Sequence, residues 1–156
     1  LSGVAPHELA HGTVFRTKFY NKFFLYLYSL ISWWDPYDYA SSHTYHHRYT
    51  MYPAVDRENL LPLQPSLSPT TLFQIFTLNL FSKPDRVFSK GGFFSTVYLT
   101  GLSSFGRIGS TKIPCQEWLQ ALHDDQPSQH RKSIIWSRIL LLFHSCILMV
   151  SIIFGH

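Results

Sequence analysis

DPYDYASSHTYHHRYTMYP, residues Asp35 to Pro53, is the stretch that decides how this chain is read. Asp35 followed by Pro36 is a helix start, with a carboxylate at the N-cap and a proline at the first helical position. Pro53 closes the segment, because a proline is disfavoured in a helix interior. The sequence therefore predicts a helix from Pro36 to about Met51. On that helix His43, His46 and His47 are spaced i, i+3, i+4 and project from one face. The plainer reading is histidines that cluster on a surface or in a core without a ligand, and what lies upstream weighs against it.

Upstream, HELAH places His7 and His11 at i, i+4, with Gly12 as a C-terminal stop. Taken alone, this pentapeptide is H-E-x-x-H, two zinc ligands with Glu8 as general base. The longer metzincin pattern fails, since its glycine and third histidine fall on Val14 and Thr17. Five imidazoles on two helical faces also exceed the three protein ligands of a catalytic zinc. His7, His11, His43, His46 and His47 thus point to two metal ions, and Glu8 is either a carboxylate that fixes a ligand's tautomer or simply solvated. Imidazole suits zinc, copper, iron and nickel alike, so ligand type does not name the metal.

The remaining composition favours a membrane. Of 156 residues, 46% are hydrophobic, 17% aromatic and only 14% charged, against about 25% charged in soluble domains. A net charge of +4 suits an anionic lipid surface better than nucleic acid, which calls for a dense basic stripe. Ile134–Gly155 is the clearest transmembrane segment, with no Lys, Arg, Asp or Glu from Ile139 to Phe154. It reaches the about 20 residues needed to cross a bilayer when Arg138 snorkels to the interface. Arg131, Lys132 and Arg138 precede the run, which puts that end in the cytoplasm. A fully buried core helix is the soluble alternative.

Three shorter apolar stretches, Phe23–Trp34, Thr70–Phe81 and Gly91–Gly106, suit interfacial, re-entrant or core helices. The first carries Arg16, Lys18 and Lys22 before it and ends on Trp33 and Trp34, the flanks of a membrane interface. Leu61–Pro69, with three prolines, reads as an extended connection, and Cys115–Lys132 as a polar, cytoplasm-facing stretch. Within it His123 and His130 are expected to be solvated. His144, inside the apolar run, is expected to be satisfied by a neighbouring helix or to act as a distant ligand. Asp38 is a candidate for orienting His43 or His46, or a first-turn acid favouring the helix dipole. Cys115 and Cys146 are not expected to pair.

HELAHGT and HTYHHRYT together resemble the first two histidine boxes of the integral-membrane fatty acid desaturase and hydroxylase superfamily. The intervening WWDPYDYASSH, the following DRENLLPLQPSL and WSRILLLFH are similar to that family as well. The resemblance covers most of the chain, with its specificity in residues 7–65. It implies a mainly α fold, a fragment of a membrane helix bundle whose interfacial helices carry the boxes. It implies that His7, His11, His43, His46 and His47 are ligands of two non-haem irons. It further implies a membrane oxidoreductase that uses O2 to desaturate or hydroxylate a lipid or acyl chain. Electrons would come from a separate cytochrome b5-like or ferredoxin-like donor, and the site would face the cytosol from the endoplasmic reticulum membrane.

The chain departs from the family pattern in lacking a third box, since His123, His130, His144 and His156 stand alone. Residues 1–156 are accordingly read as a partial domain, truncated at both ends, that is inactive if the third box is essential. The alternatives are a membrane zinc metallohydrolase using His7, Glu8 and His11, and a non-catalytic membrane remnant.

Overall fold

A computed structural model describes residues 4–50, Tyr52, Leu80, 92–112 and 114–155. Six helices make up the regular structure among these residues: α1 (Val4–His11), α2 (Lys18–Ile31), α3 (Pro36–Tyr49), α4 (Phe93–Ser104), α5 (Pro114–Asp125) and α6 (Pro127–Phe154). The mainly α expectation holds. The apolar stretch 70–81 and the proline-rich 61–69 lie outside the described residues, Leu80 aside.

Local chemistry sets the helix ends. Asp35 caps α3 as its sequence requires, one carboxylate oxygen accepting from the backbone N–H groups of Tyr37 and Asp38 at 2.8 and 3.1 Å. Gly12 ends α1 in the left-handed region, φ 73°, where a side chain would be strained. The paired bonds Gly12 N–H to Leu9 O and Thr13 N–H to Glu8 O complete a Schellman cap. Gly106 does the same for α4, with Gly106 N–H to Ser103 O and Arg107 N–H to Leu102 O. The α1–α2 connection is tied by Asn21, whose buried carboxamide reaches Gly12 O, Phe15 O and Thr17 O and accepts from Phe15 N–H.

α6 is the spine of the fold, with α3, α4 and α5 packed on it, while α1 lies on α2. Two polar contacts tie α6 to α4: Ser137 Oγ donates to Ser103 Oγ at 2.9 Å, and Arg138 Nε donates to Ser104 O. Arg138 therefore neutralises a C-terminal carbonyl of α4 rather than extending freely. Trp33 sits at φ 56°, an uncommon conformation for a bulky side chain. It is held by its Nε1 bond to Thr100 and by the ring of His144, 4.1 Å away between centroids. His144 Nδ1 also bonds Leu140 O of its own helix.

The interior is mostly polar. Among the described residues, the buried apolar side chains are Leu9, Leu122, Trp136, Leu140 and two prolines, whereas Asn21, Ser29, Ser41, His43, Ser104, Gln116, His123, Ser133 and Ser137 are all buried. Large apolar residues point outward instead, among them Phe19 and Phe23 on α2, Phe93 and Tyr98 on α4, and Leu142, Leu148, Ile152 and Ile153 on α6. α6 is the one described helix long and apolar enough to cross a membrane, and only 11% of its most apolar window is buried inside the protein. A buried core helix, the soluble alternative, does not fit that exposure.

Candidate metal centre

α3 presents two faces. One carries Asp38, Ser41, Ser42 and Tyr45 toward the α5–α6 corner. Asp38 pairs with His123 at 2.9 Å, Ser41 Oγ donates to Gln126, Ser42 accepts from Trp118 Nε1, and Tyr45 Oη donates to Asp125. The other face turns Tyr39, His43 and His47 toward α1. Tyr39 stacks on His43, 4.9 Å between centroids and 18° apart in plane, which holds the imidazole's orientation.

There His7, His11, His43 and His47 converge, one ligand atom from each lying within 4.8 Å of all the others. His43 is buried, His7 half-buried, and His11 and His47 are exposed, so the cluster opens to solvent on one side. The Nε2 atoms of His11, His43 and His47 form a triangle with sides of 3.0, 3.1 and 2.9 Å.

Hydrogen bonds alone cannot satisfy this triangle. A ring nitrogen is either N–H or a lone pair. Of three such nitrogens, at least two must be alike, so one side always opposes two protons or two lone pairs at hydrogen-bonding distance. A cation resolves all three contacts at once by drawing every lone pair to one point. Nitrogens held about 2.0–2.1 Å from a common ion stand about 2.8–3.4 Å apart at bond angles between roughly 90° and 109°. The observed spacing falls in that interval, and the donor set fits a borderline transition-metal ion.

The fourth histidine is set by a carboxylate. His7 Nδ1 lies 3.0 Å from Glu8 Oε1, while Glu8 Oε2 accepts from Thr13 Oγ1 at 2.7 Å. With the ring proton on Nδ1, the lone pair of His7 is on Nε2, free for a metal. The Thr13 bond and then the His7 bond hold the Glu8 carboxyl below its ordinary range. Thr13 reaches Glu8 only because Gly12 reverses the chain between them, so its part is invisible in motif spacing. Tyr39 was likewise unforeseen, although its i, i+4 relation to His43 was a usable signal.

Other expectations are placed differently. His46 lies beside the cluster, its ring 5.8 Å from those of His43 and His47, but outside the converging four. Asp38 faces away from the box histidines and bonds His123. His123 is buried rather than solvated, with 6% of its surface exposed, and stacks on half-buried His130 at 3.9 Å and 10°. Burial follows from the α5–α6 turn, which folds both rings under α3. Cys146 is exposed and free.

The described chain is thus a helical protein with one candidate membrane span and a four-histidine cluster suited to a metal ion. Comparison with protein families, with curated proteins and with solved structures returned no match.

Proposed function

We propose that the chain carries the metal-binding part of a membrane-bound, non-haem di-iron oxidoreductase that uses O2 to desaturate or hydroxylate a lipid or acyl chain. The observation that carries the reading is the convergence of His7 and His11 from α1 with His43 and His47 from α3 beside a helix of membrane-spanning length. In this reading those four hold one iron, and His46 belongs to a second whose other ligands lie beyond the described residues. Iron supplies the redox chemistry that zinc, a metal of fixed valence, does not.

The chain's own residues supply positioning. Glu8 keeps the His7 proton on Nδ1, Tyr39 fixes the His43 ring, and the exposed edges of His11 and His47 leave a side open to an exogenous ligand. The docking of α3 supports an orientation with the site on the cytosolic side. This helix packs on α6 at Ser133, the end marked by Arg131, Lys132 and Arg138, and the positive-inside tendency gives that end to the cytosol. The endoplasmic reticulum, a separate electron donor and an apolar substrate entering from the bilayer complete the proposal.

The zinc hydrolase reading needs Glu8 to reach a metal-bound water as general base. Both its oxygens are engaged elsewhere, with His7 and Thr13. The test is metal and turnover together. Detergent-purified protein is expected to hold iron that is lost in His43→Ala, and Glu8→Gln is expected to keep it. Stoichiometric zinc with peptidase activity abolished by Glu8→Gln would overturn the proposal.

A further inference from the structure

A second polar cluster, built on a buried hydroxyl outside the metal centre, is also short of one hydrogen. Ser133 of α6 is fully buried between two carboxylates of α3, its Oγ 2.6 Å from Asp35 Oδ2 and 3.1 Å from Asp38 Oδ2. A hydroxyl has one proton to give. With both carboxylates ionised, Ser133 can satisfy one of them, and the other meets a lone pair at hydrogen-bond distance beside a like charge. One added proton completes the chain: Asp35 Oδ2–H donates to Ser133 Oγ, and Ser133 donates to Asp38 Oδ2. Asp35 Oδ1 stays an acceptor for Tyr37 and Asp38 N–H, so the cap survives protonation.

The proton has no better home nearby. His123 Nε2 lies 2.9 Å from Asp38 Oδ1, and its Nδ1 is buried with no partner. The tautomer that pairs with Asp38 carries its proton on Nε2. A second proton on Nδ1 would be a buried N–H without an acceptor, which proteins rarely tolerate.

We propose that Asp35, Ser133 and Asp38 form a proton-binding site that fastens α3 to α6, holding one proton, taken from water, across the two carboxyl groups in the fastened state. Loss of that proton leaves two half-buried carboxylates facing one fully buried hydroxyl and loosens the contact. The other titratable or charged groups around the site are Tyr37 on α3, Tyr26 on α2, His123 and Asp124 on α5, and His130 and Lys132 on α6. Lys132 Nζ is spent over the Tyr37 ring, 5.9 Å from its centre, rather than on either carboxylate. Burial, then the neighbouring Asp38 charge, pushes the Asp35 carboxyl up to about 6, in keeping with the geometry. Because α3 carries His43 and His47, the same proton would govern how firmly the histidine cluster is presented, a consequence that rests on the metal-binding reading above.

The test uses the full chain in detergent, without added metal, from about pH 5 to about pH 8. Infrared difference spectra are expected to show a protonated carboxyl C=O band that falls at least fivefold across this interval and is absent from Asp35→Asn. In Asp38→Asn, a second variant should Asp35→Asn misfold, the band should fade at lower pH. Amide exchange in residues 39–49, corrected for intrinsic rates, is expected to quicken at least tenfold in the wild type and to stay level in Asp35→Asn. No such band, a band unchanged in both variants, or exchange with the same pH profile in wild type and variant would overturn the proposal. Metal-free protein makes this result independent of whether the histidines bind a metal. The coupling is tested separately with cobalt(II). Its affinity for wild type relative to Asp35→Asn should fall at least threefold between about pH 6 and about pH 8, and a constant ratio would overturn the coupling alone.

Discussion

Glu8 and Thr13 show how much a short motif leaves unsaid. H-E-x-x-H admits a base and a tautomer-setting carboxylate equally, and the difference lies in one hydroxyl two residues past the motif, brought back by Gly12. Glu8→Ala is expected to weaken metal binding by about 10- to 100-fold, with Glu8→Gln, which keeps an acceptor, far milder. Competition against a calibrated chelator measures both, and equal losses would remove the carboxylate from its assigned role. His43→Ala and His47→Ala should each abolish tight binding to the four-histidine centre, with His46→Ala sparing it. Metal retained through gel filtration distinguishes these outcomes. The sequence placed His43, His46 and His47 on one face, yet His46 and His47 are about 100° apart around the helix. Which of them turns toward α1 depends on the packing of two helices, which spacing cannot encode.

At the scale of the element, α3 was the most legible part of the chain. Its cap, first residue and approximate end were readable because Asp35, Pro36 and Pro53 act locally. The partners of its other face were not, because Ser133 lies 98 residues from Asp35 and His123 lies 85 from Asp38. Asp38 does sit in the first turn of α3, but its His123 partner, and the burial of His123, come from the α5–α6 corner.

Two stability predictions belong here. Gly106→Ala places a Cβ at φ 69° and 3.2 Å from Ile134 Cδ1, and should cost about 1 kcal/mol or more in the α4–α6 pair. Chemical denaturation measures it, and a neutral result would contradict the cap. For Asp35 the sign follows from a carboxyl raised above its unfolded value of 3.8 to about 6. Its contribution is whole below about pH 4 and is lost as pH rises through about 6. The wild type should therefore lose on the order of 1 kcal/mol relative to Asp35→Asn between about pH 5 and about pH 8. Parallel pH–stability profiles for the two proteins would contradict this.

For the whole molecule, the distribution of polarity is the governing fact. Serines, histidines and amides fill the interior while Phe, Leu and Ile face outward along α2, α4 and the second half of α6. Low charge and high aromatic content made an apolar surrounding legible in the sequence. Arg138, expected at the bilayer surface, donates to a carbonyl at the end of α4, a partner set by helix packing that spacing does not encode. The chain is expected to stay with membranes through an alkaline carbonate wash, and release into the supernatant would contradict a spanning α6.

The central claim is that α1 and α3 build a metal centre from His7, His11, His43 and His47. Metal content per chain on detergent-purified protein, for wild type and His43→Ala, tests it most directly. Bound iron lost in the variant is the predicted result. Wild-type protein that takes up no transition metal from iron-, zinc- or cobalt-supplemented buffer, or that keeps its full complement without His43, would contradict the account.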